Sequence, residues 1–346
     1  MKKKLFFILL ITLFVITACG RPTSDTSNEG ENEGENEGSS EDTHTLRIAY
    51  LVAEEQSTHI GAEKFKEKLE SESDGRIEVE LYPNGQLYPS DAEAIQAVQH
   101  GNIEMTIPAI APLASFNSGF MVFDLPFLFD SYEAAYEVLD GEVGEQLLAS
   151  LEEQGMKGLV FGENGFRHMS NNKGPIESMD DLSGLKYRTL ESPLHTDTFK
   201  ELGANASPFA FGELYTALQQ GTYDAMESPI SLYYTNKFYE VQDYLTLTSH
   251  VYAATILLMN NDFYNSLPED LQQLVMEAAE EYRTFQRDLA QQQDSEFLEE
   301  LKAEGMEVNE LPAETREEFK EAVQTVYDKY EDEIGADIVN KVLEEN

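Results

Sequence analysis

Two nine-residue segments decide the fold: "AVQHGNIEM" (residues 97–105) and "ALQQGTYDA" (residues 217–225). Each contains an alanine, an aliphatic residue and a glutamine, followed by a glycine and then an acidic residue at matching positions. A glycine of this kind ends a helix, and the residues after it lead into a strand. The repeat therefore predicts two related helix–strand units in different halves of the chain.

The sequence around each segment extends the similarity to the order β-α-β-α-β. The first half contains the strand "LRIAYLV" (46–52), a helix with Ala62, Phe65 and Leu69 on one face, the strand "GRIEVELYP" (75–83), and "DAEAIQAVQHGNIEMTIP" (91–108). The second half contains "GLKYRTL" (184–190), "SPLHTDTFKELGA" (192–204) and "FGELYTALQQGTYDAMESP" (211–229). This order predicts two lobes, each an open α/β sheet.

A ligand site is expected between the lobes, because open α/β sheets bind ligands beyond the carboxyl ends of their strands. Arg188 lies at the end of the first strand of the second lobe, and Ser228 lies at the end of its third strand. Arginine is rarely buried unless an anion pairs with it. We therefore expect both residues to face the cleft, with Arg188 holding an anionic partner and the strands between the lobes acting as a hinge.

Composition excludes several other functions. The chain has 66 acidic and 23 basic residues and a net charge of −43, which argues against binding to nucleic acid. Its six histidines and one cysteine show no metal-ligand spacing, so no metal site is predicted. The G-x-S-x-G, P-loop and H-E-x-x-H motifs are absent from the sequence, and we predict neither a catalytic residue nor a cofactor.

The N-terminus reads as an export signal. Lys2, Lys3 and Lys4 precede an apolar stretch over residues 5–16, which is too short to span a hydrocarbon core of about 30 Å as a helix. Cys19, the chain's single cysteine, follows "ITA" and resembles the lipobox of bacterial lipoproteins. That resemblance implies a signal peptide over 1–18 and a lipid on Cys19. The acidic segment 19–44, with its NEG/ENEG repeat, is predicted to be a disordered tether.

Eight motifs in order resemble the DctP-type solute-binding proteins of TRAP (tripartite ATP-independent periplasmic) transporters. They cover nearly all of residues 45–346: "YPNGQLY", "APLASF", "FDLPFLF", "GFRHMSNN", "DLSGLKYR", "LGANASPFAFGELYTALQQG", "KFYEVQDYLTLTSH" and "LPEDLQQLVMEAA". The resemblance implies the two-lobed periplasmic-binding-protein fold, with a central ligand cleft, hinge strands and a long helix across both lobes. Residues 267–305 suit that helix, with a proline at its start and a glycine at its end. Lobe I is predicted over 45–165 with about 254–290, and lobe II over 166–253 with about 291–346.

The resemblance also assigns roles to individual residues. It implies that Arg188 forms a two-pronged salt bridge with the carboxylate of a solute. Arg167 matches a second family arginine that either touches the ligand or braces the pocket, and Phe211 matches an aromatic residue that stacks against the ligand. His250 matches a position that reaches the site in some members, with a purely structural role left open. Ser228 replaces an asparagine that binds the carboxylate in the family, so a relative's ligand does not transfer directly.

The solute is harder to infer. In the loop after Leu51, Glu54 offers a carboxylate that would accept hydrogen bonds from sugar hydroxyls, although a solvated surface charge is an equally good interpretation. Glu191, close to Arg188 in sequence, is a further candidate ligand-binding residue. These carboxylates weakly favour a sugar acid such as a uronate over a C4-dicarboxylate.

The partners implied are a carboxylate solute, the small and large integral membrane subunits of a TRAP transporter, and the membrane through the lipid. The protein is expected outside the cell, anchored to the outer face of the cell membrane, as a monomer or as a dimer paired through its long helix. Two alternatives stay open from the sequence: an ABC-type binding lipoprotein, and a lipid-anchored surface enzyme with Glu227 beside Ser228 as its sole candidate acid or base.

Overall fold

The computed structural model describes residues 43–345, which belong to one compact unit. Cys19, the predicted signal peptide and nearly all of the predicted tether lie outside the described residues. The strands are β1 (His44–Ala49), β2 (Ile77–Tyr82), β3 (Met105–Thr106), β4 (Met156–Asn171), β5 (Lys186–Thr189), β6 (Asn205–Pro208), β7 (Ala225–Pro229), β8 (Tyr244–Asn260) and β9 (Glu307–Glu310). The helices are α1 (Ser57–Glu72), α2 (Asp91–Gln99), α3 (Tyr132–Leu139), α4 (Glu142–Ser150), α5 (Pro193–Glu201), α6 (Leu214–Gln219), α7 (Ile230–Thr235), α8 (Asn261–Ser266), α9 (Glu269–Ala303), α10 (Ala313–Ala322), α11 (Gln324–Ile334) and α12 (Ala336–Glu345).

The repeated β-α-β-α-β order is confirmed, and the two copies have the same topology. In the first lobe β1 pairs in parallel with β2 and β3, and in the second lobe β5 pairs in parallel with β6 and β7. In each lobe, therefore, the first strand of the repeat lies between the second and the third. The glycines that end α2 and α6, Gly101 and Gly221, both have a φ of +69°, which a residue with a Cβ rarely adopts.

The two lobes share a single nine-stranded sheet instead of having separate sheets. Its order is β2-β1-β3-β8-β4-β7-β5-β6, with β9 pairing with β8. The long strands β4 and β8 run antiparallel to each other along their whole length and join the lobes. Because both strands belong to both lobes, the predicted lobe boundaries stay a prediction.

The pairing of β4 with β8 shifts register at three places, between Gly158 and Phe161, between Glu163 and Gly165, and between Arg167 and Met169. Such bulges bend a strand and redirect side chains. The middle shift leaves Asn164 outside the regular ladder, at the point where the strands pass between the lobes.

The long helix predicted over residues 267–305 is α9, which spans 35 residues. Its first turns, with Leu271 and Val275, pack in the apolar core of the first lobe. Its last turns, with Phe297 and Leu301, pack in the core of the second lobe. The helix thus borders the cores of both lobes, and it contacts α1, β4 and α7.

Gln286 ties α9 to the hinge. Its side chain is buried, its Oε1 accepts a hydrogen bond from the Glu163 backbone N–H at 2.7 Å, and its Nε2 donates to the Glu163 carbonyl at 2.7 Å and to Ser57 Oγ at 3.0 Å. One side chain therefore satisfies two backbone groups of β4 beside its bulge and also reaches the first residue of α1.

We expect Gln286→Ala to lower the free energy of unfolding by roughly 2–4 kcal/mol, because it leaves buried backbone groups of Glu163 without partners. Urea unfolding measures the change. Gln273→Ala is the matched control on the same helix, since Gln273 is exposed and bonds only to the Glu277 side chain. Equal changes for the two variants would contradict the role given to Gln286.

Candidate functional site

Arg188 occupies the third position of β5, near the carboxyl end of the strand, and is 1% exposed. Its Nε donates a hydrogen bond to the Phe209 carbonyl at 2.9 Å, and its Cζ lies 5.9 Å from the centre of the Phe211 ring. Among the described residues, no carboxylate oxygen lies within 4.0 Å of its guanidinium nitrogens. Burial lowers the pKa of Arg188 to about 10, so the group is still charged at neutral pH. A buried positive charge thus has no direct ion-pair partner in this part of the protein.

Arg167, on β4, is also buried but is already paired. Its Nε and one terminal nitrogen both donate to the carboxylate of Glu227 on β7, and that terminal nitrogen also donates to the Glu227 carbonyl at 2.9 Å. Burial alone would raise the pKa of Glu227, but the Arg167 charge, the neighbouring His250 ring and the hydrogen bonds from Arg167 hold it well below its usual range. The two groups form a two-pronged buried ion pair.

His250 and Ser228 lie beside this ion pair. His250 Nε2 is 3.6 Å from Glu227 Oε2, and its Nδ1 is 2.7 Å from Thr248 Oγ1. Burial lowers the pKa of His250, which favours the neutral ring. Ser228 is 1% exposed, and its hydroxyl has no hydrogen-bond partner among the described residues. The structure therefore brings Arg167 and His250 together around Glu227, which the sequence analysis had considered only as a candidate acid or base.

A small cavity lies between the lobes; its volume is about 40 Å³. Its polar lining residues are Asp91 from the first lobe, Asn164 and Arg167 from β4, and Thr255 from β8. The apolar lining residues are Leu51, Val52, Ile107, Leu190, Phe211 and Leu232. Phe211 lines the cavity, and its ring centre lies 5.9 Å from Cζ of Arg188. The cavity combines a few polar groups with apolar walls, as small-molecule sites usually do.

The lobes touch across this cavity. The Gly212 backbone N–H, from the second lobe, donates to the carbonyl of Pro89 in the first lobe at 3.2 Å. A Cβ on Gly212 would lie 2.7 Å from that carbonyl oxygen, so the approach requires glycine. This contact lies beside α2 and holds the two walls of the cavity together.

Two predicted site residues lie elsewhere. Glu54 is exposed and lines a surface groove with His59 and Glu63 on the first lobe. Glu191 is exposed and lines a separate surface groove with Asp197 and Lys200. Neither lines the cavity between the lobes, and of the other predicted residues Arg167 and Phe211 line it, whereas Arg188, Ser228 and His250 do not. A direct ligand contact stays a prediction for these two residues, as it does for Arg188, Arg167, Ser228, Phe211 and His250.

Sequence reasoning missed Asp91 and Asn164. Asp91 is the first residue of α2 after the N-cap Ser90, a position where an acidic residue is common for its effect on the helix dipole. Asn164 falls in a strand, and only the register shift of β4 directs attention to it. No signal in the sequence distinguished either residue from ordinary helix-start or strand positions.

Among residues 43–345 no helix is both long enough and apolar enough to cross a bilayer. The same residues contain no group of three or more His, Cys, Asp or Glu side chains arranged to hold a metal ion.

Two lobes of parallel strands, joined by long hinge strands and enclosing a polar cavity, define a two-lobed solute-binding protein. Comparison with known families makes this specific. The chain belongs to the bacterial extracellular solute-binding protein family 7, the DctP family, whose model matches residues 48–333. Members of this family act outside the cytoplasm as the solute-binding proteins of TRAP transporters, and they are binding proteins, not enzymes.

Three relatives illustrate the similarity. The structure of the sugar acid binding protein DctPAm from Advenella mimigardefordensis strain DPN7T, in complex with galactonate, superposes with a TM-score of 0.86 at 38% identity, covering 88% of this chain and 98% of that one. A TRAP periplasmic solute binding protein from Sulfurospirillum deleyianum with bound succinate has a TM-score of 0.83 at 34% identity, covering 87% and 98%. The 2,3-diketo-L-gulonate-binding periplasmic protein YiaO of Escherichia coli is 35% identical over 303 residues, which is 87% of this chain and 92% of YiaO.

We expect Glu227→Gln to lower the free energy of unfolding by about 3–5 kcal/mol, because it leaves the Arg167 charge buried without compensation. Denaturant unfolding at neutral pH measures the loss. Glu104→Gln is the matched control: Glu104 forms the same two-pronged pair with Arg47, whose side chain is 39% exposed, so its loss should cost about 1 kcal/mol or less. A Glu227→Gln cost no larger than that of Glu104→Gln would contradict the role of burial.

Proposed function

We propose that this solute-binding protein captures an organic acid anion by a two-pronged salt bridge from Arg188 to the solute's carboxylate. The observation that carries the proposal is the state of Arg188: it is 1% exposed, and no carboxylate among the described residues lies within 4.0 Å of its guanidinium. A buried ion without a partner costs several kcal/mol, and an anionic ligand offsets that cost. A carboxylate fits the fork of a guanidinium through two parallel hydrogen bonds.

The neighbours of Arg188 are consistent with this role. Its Nε is held by the Phe209 carbonyl, which fixes the plane of the guanidinium and leaves the terminal nitrogens for a ligand. Phe211 lies against the guanidinium and also lines the cavity, so a solute on Arg188 would contact its ring. Arg167 is occupied by Glu227, and we assign it mainly to bracing the pocket beside Ser228 and His250.

The relatives support a carboxylate ligand. The two solved structures named above contain galactonate and succinate, a sugar acid and a dicarboxylate, and YiaO is named for 2,3-diketo-L-gulonate binding. All three solutes are organic acids, and binding one of them would require the lobes to move apart, because the cavity as it stands has a volume of only about 40 Å³.

Delivery follows from the family. We propose that the closed form docks on the small and large integral membrane subunits of a TRAP transporter, which the family membership favours over an ABC-type partner. The lipid on Cys19 and the acidic tether would hold the folded part outside the cell membrane, within reach of those subunits. We propose a monomer as the working unit.

We expect Arg188→Ala to weaken binding of an organic acid by roughly 2–5 kcal/mol, because it removes one partner of a buried charge pair. The measurement is titration calorimetry of the full chain with galactonate, erythronate and succinate. Arg188→Lys should give an intermediate loss, since an ammonium keeps the charge and loses the planar fork. Arg47→Ala, which removes a guanidinium paired with Glu104 on β1, should leave affinity unchanged. Wild-type affinity in Arg188→Ala, with an unchanged melting temperature, would refute the placement of the carboxylate.

We expect Cys19→Ser to abolish lipid attachment, because the thiol is the acceptor of the diacylglycerol group in lipoproteins of this type. Expression of the full chain in a bacterial host with a clickable fatty acid, followed by membrane fractionation, measures the label and the location together. The wild-type chain should carry the label in the membrane fraction, and Cys19→Ser should lose both. A labelled Cys19→Ser chain, or an unlabelled wild-type chain, would contradict the proposed anchor.

A further inference from the structure

The wall of the cavity that comes from the first lobe carries a partly buried acid, Asp91. The Ala109 backbone N–H donates to Asp91 Oδ2 at 3.3 Å, which holds the carboxyl group at the start of α2. No Arg, Lys or His nitrogen among the described residues lies within 4.0 Å of it. Arg188 and Arg167 are nevertheless close enough to influence its ionisation. The acid therefore shares the cavity with Arg167 and lies near Arg188, which is not itself a lining residue, without forming a direct ion pair with either.

The hinge contributes a second acceptor to the same cavity. Asn164 is 6% exposed, lines the cavity, and its Oδ1 has no hydrogen-bond partner among the described residues. Buried polar atoms in folded proteins almost always have a partner, so an unpartnered one in a binding cavity points to a ligand. The register shift between Glu163 and Gly165 turns this side chain out of the ladder, as bulges near functional sites often do.

These two side chains require donors from a solute. A carboxylate and the oxygen of an amide both accept hydrogen bonds, and a hydroxyl group supplies the proton that each needs. An ionised carboxylate on the solute supplies no proton. Placed near Asp91, it would also put two like charges in a low-dielectric space, where repulsion is strong.

The charges in the cavity lead to the same conclusion. Arg167 and Glu227 cancel each other, so the remaining charged groups in and beside the cavity are the Arg188 guanidinium, which lies next to the lining residue Phe211, and the Asp91 carboxyl group. A monoanion on Arg188 uses the one unpaired positive charge. A dianion adds a second negative charge that no cation in the cavity is left to compensate.

We infer that the site selects monocarboxylates bearing hydroxyl groups over dicarboxylates, with Asp91 and Asn164 accepting hydrogen bonds from the solute's hydroxyls. This inference rests on the proposed function, because it takes the solute carboxylate to be on Arg188. Specificity then resides in the two residues on the far side of the cavity, and anion binding resides in the second lobe.

The test compares three four-carbon acids by calorimetry on the full chain: erythronate, which has hydroxyls and one carboxylate, succinate, which has two carboxylates, and butyrate, which has one carboxylate and no hydroxyl. Galactonate serves as a longer hydroxy acid. The wild-type chain should bind a hydroxy acid at least about tenfold more tightly than succinate or butyrate. Asp91→Asn keeps the shape of the side chain and removes its charge. It should reduce the ratio of hydroxy acid affinity to succinate affinity by about tenfold.

Two further variants sharpen the result. Asn164→Ala should weaken hydroxy acid binding by about tenfold and leave succinate binding nearly unchanged, because only the hydroxyl acceptor is lost. Glu67→Gln, which removes an exposed carboxylate of α1 outside the cavity, should leave the ratio of hydroxy acid affinity to succinate affinity unchanged. Melting temperatures of all variants establish that they are folded.

The pH dependence gives a readout that a purely structural role would not move. The pKa of Asp91 is raised to about 7. Burial is the largest cause and the Glu191 charge adds to it, whereas the Ala109 hydrogen bond and the charges of Arg188 and Arg167 lower the pKa. Succinate should therefore be excluded more strongly at about pH 8.5, where Asp91 is ionised, than at about pH 6.5, where Asp91 is mostly protonated and succinate is still mainly a dianion. In Asp91→Asn this difference should disappear.

The outcomes separate the inference from the proposed function. The inference is overturned if the wild-type chain binds succinate as tightly as a hydroxy acid, or if Asp91→Asn leaves the ratio of the two affinities unchanged. In either case, weaker binding by Arg188→Ala would still support the proposed function. If none of the acids binds the wild-type chain, the proposed function fails and the inference falls with it.

Discussion

A charge buried in a protein interior needs a partner, and this constraint organises the whole site. Two guanidinium groups, Arg167 and Arg188, are buried in the second lobe, and one carboxylate, Glu227, compensates one of them. Glu227 pairs with Arg167 because β7 lies beside β4 in the sheet, which brings the two side chains together. Arg188, one strand further away on β5, is left with a backbone carbonyl and an aromatic ring. The difference between the two arginines leaves Arg167 compensated and makes Arg188 the group that we propose receives the anion.

The hinge strands contribute a second wall to the cavity. Strands β4 and β8 run through both lobes, and their shifts of register occur where the lobes meet. Gln286 of α9 satisfies the backbone of Glu163 beside the bulge, so the backbone that presents Asn164 is held from behind. The close approach of Gly212 to Pro89 completes the enclosure from the other side. The strands that join the lobes therefore also place polar groups in the cavity.

Much of the fold was predictable, because the signals that determine it are local. The glycines after α2 and α6, the alternating apolar residues of β1 and β2, and the uninterrupted helix formers of α9 each specify an element without reference to the rest of the chain. The strand β6 was not identified, because its four residues, "NASP", show neither alternation nor β-branched residues. Residues 46–52 were predicted as a strand that in fact covers 44–49, a shift typical of element boundaries.

The sequence by itself determined that this chain contains two copies of one α/β unit and an arginine near a strand end in the second copy. These features follow from composition and from periodicities of a few residues. Only the tertiary structure decided which arginine is paired, since Arg167 and Glu227 are 60 residues apart and meet through the register of two strands. It also decided that Asp91 and Asn164 face one cavity, because one begins a helix of the first lobe and the other leaves the ladder of a hinge strand. Pairings between distant segments depend on packing, which no local pattern records.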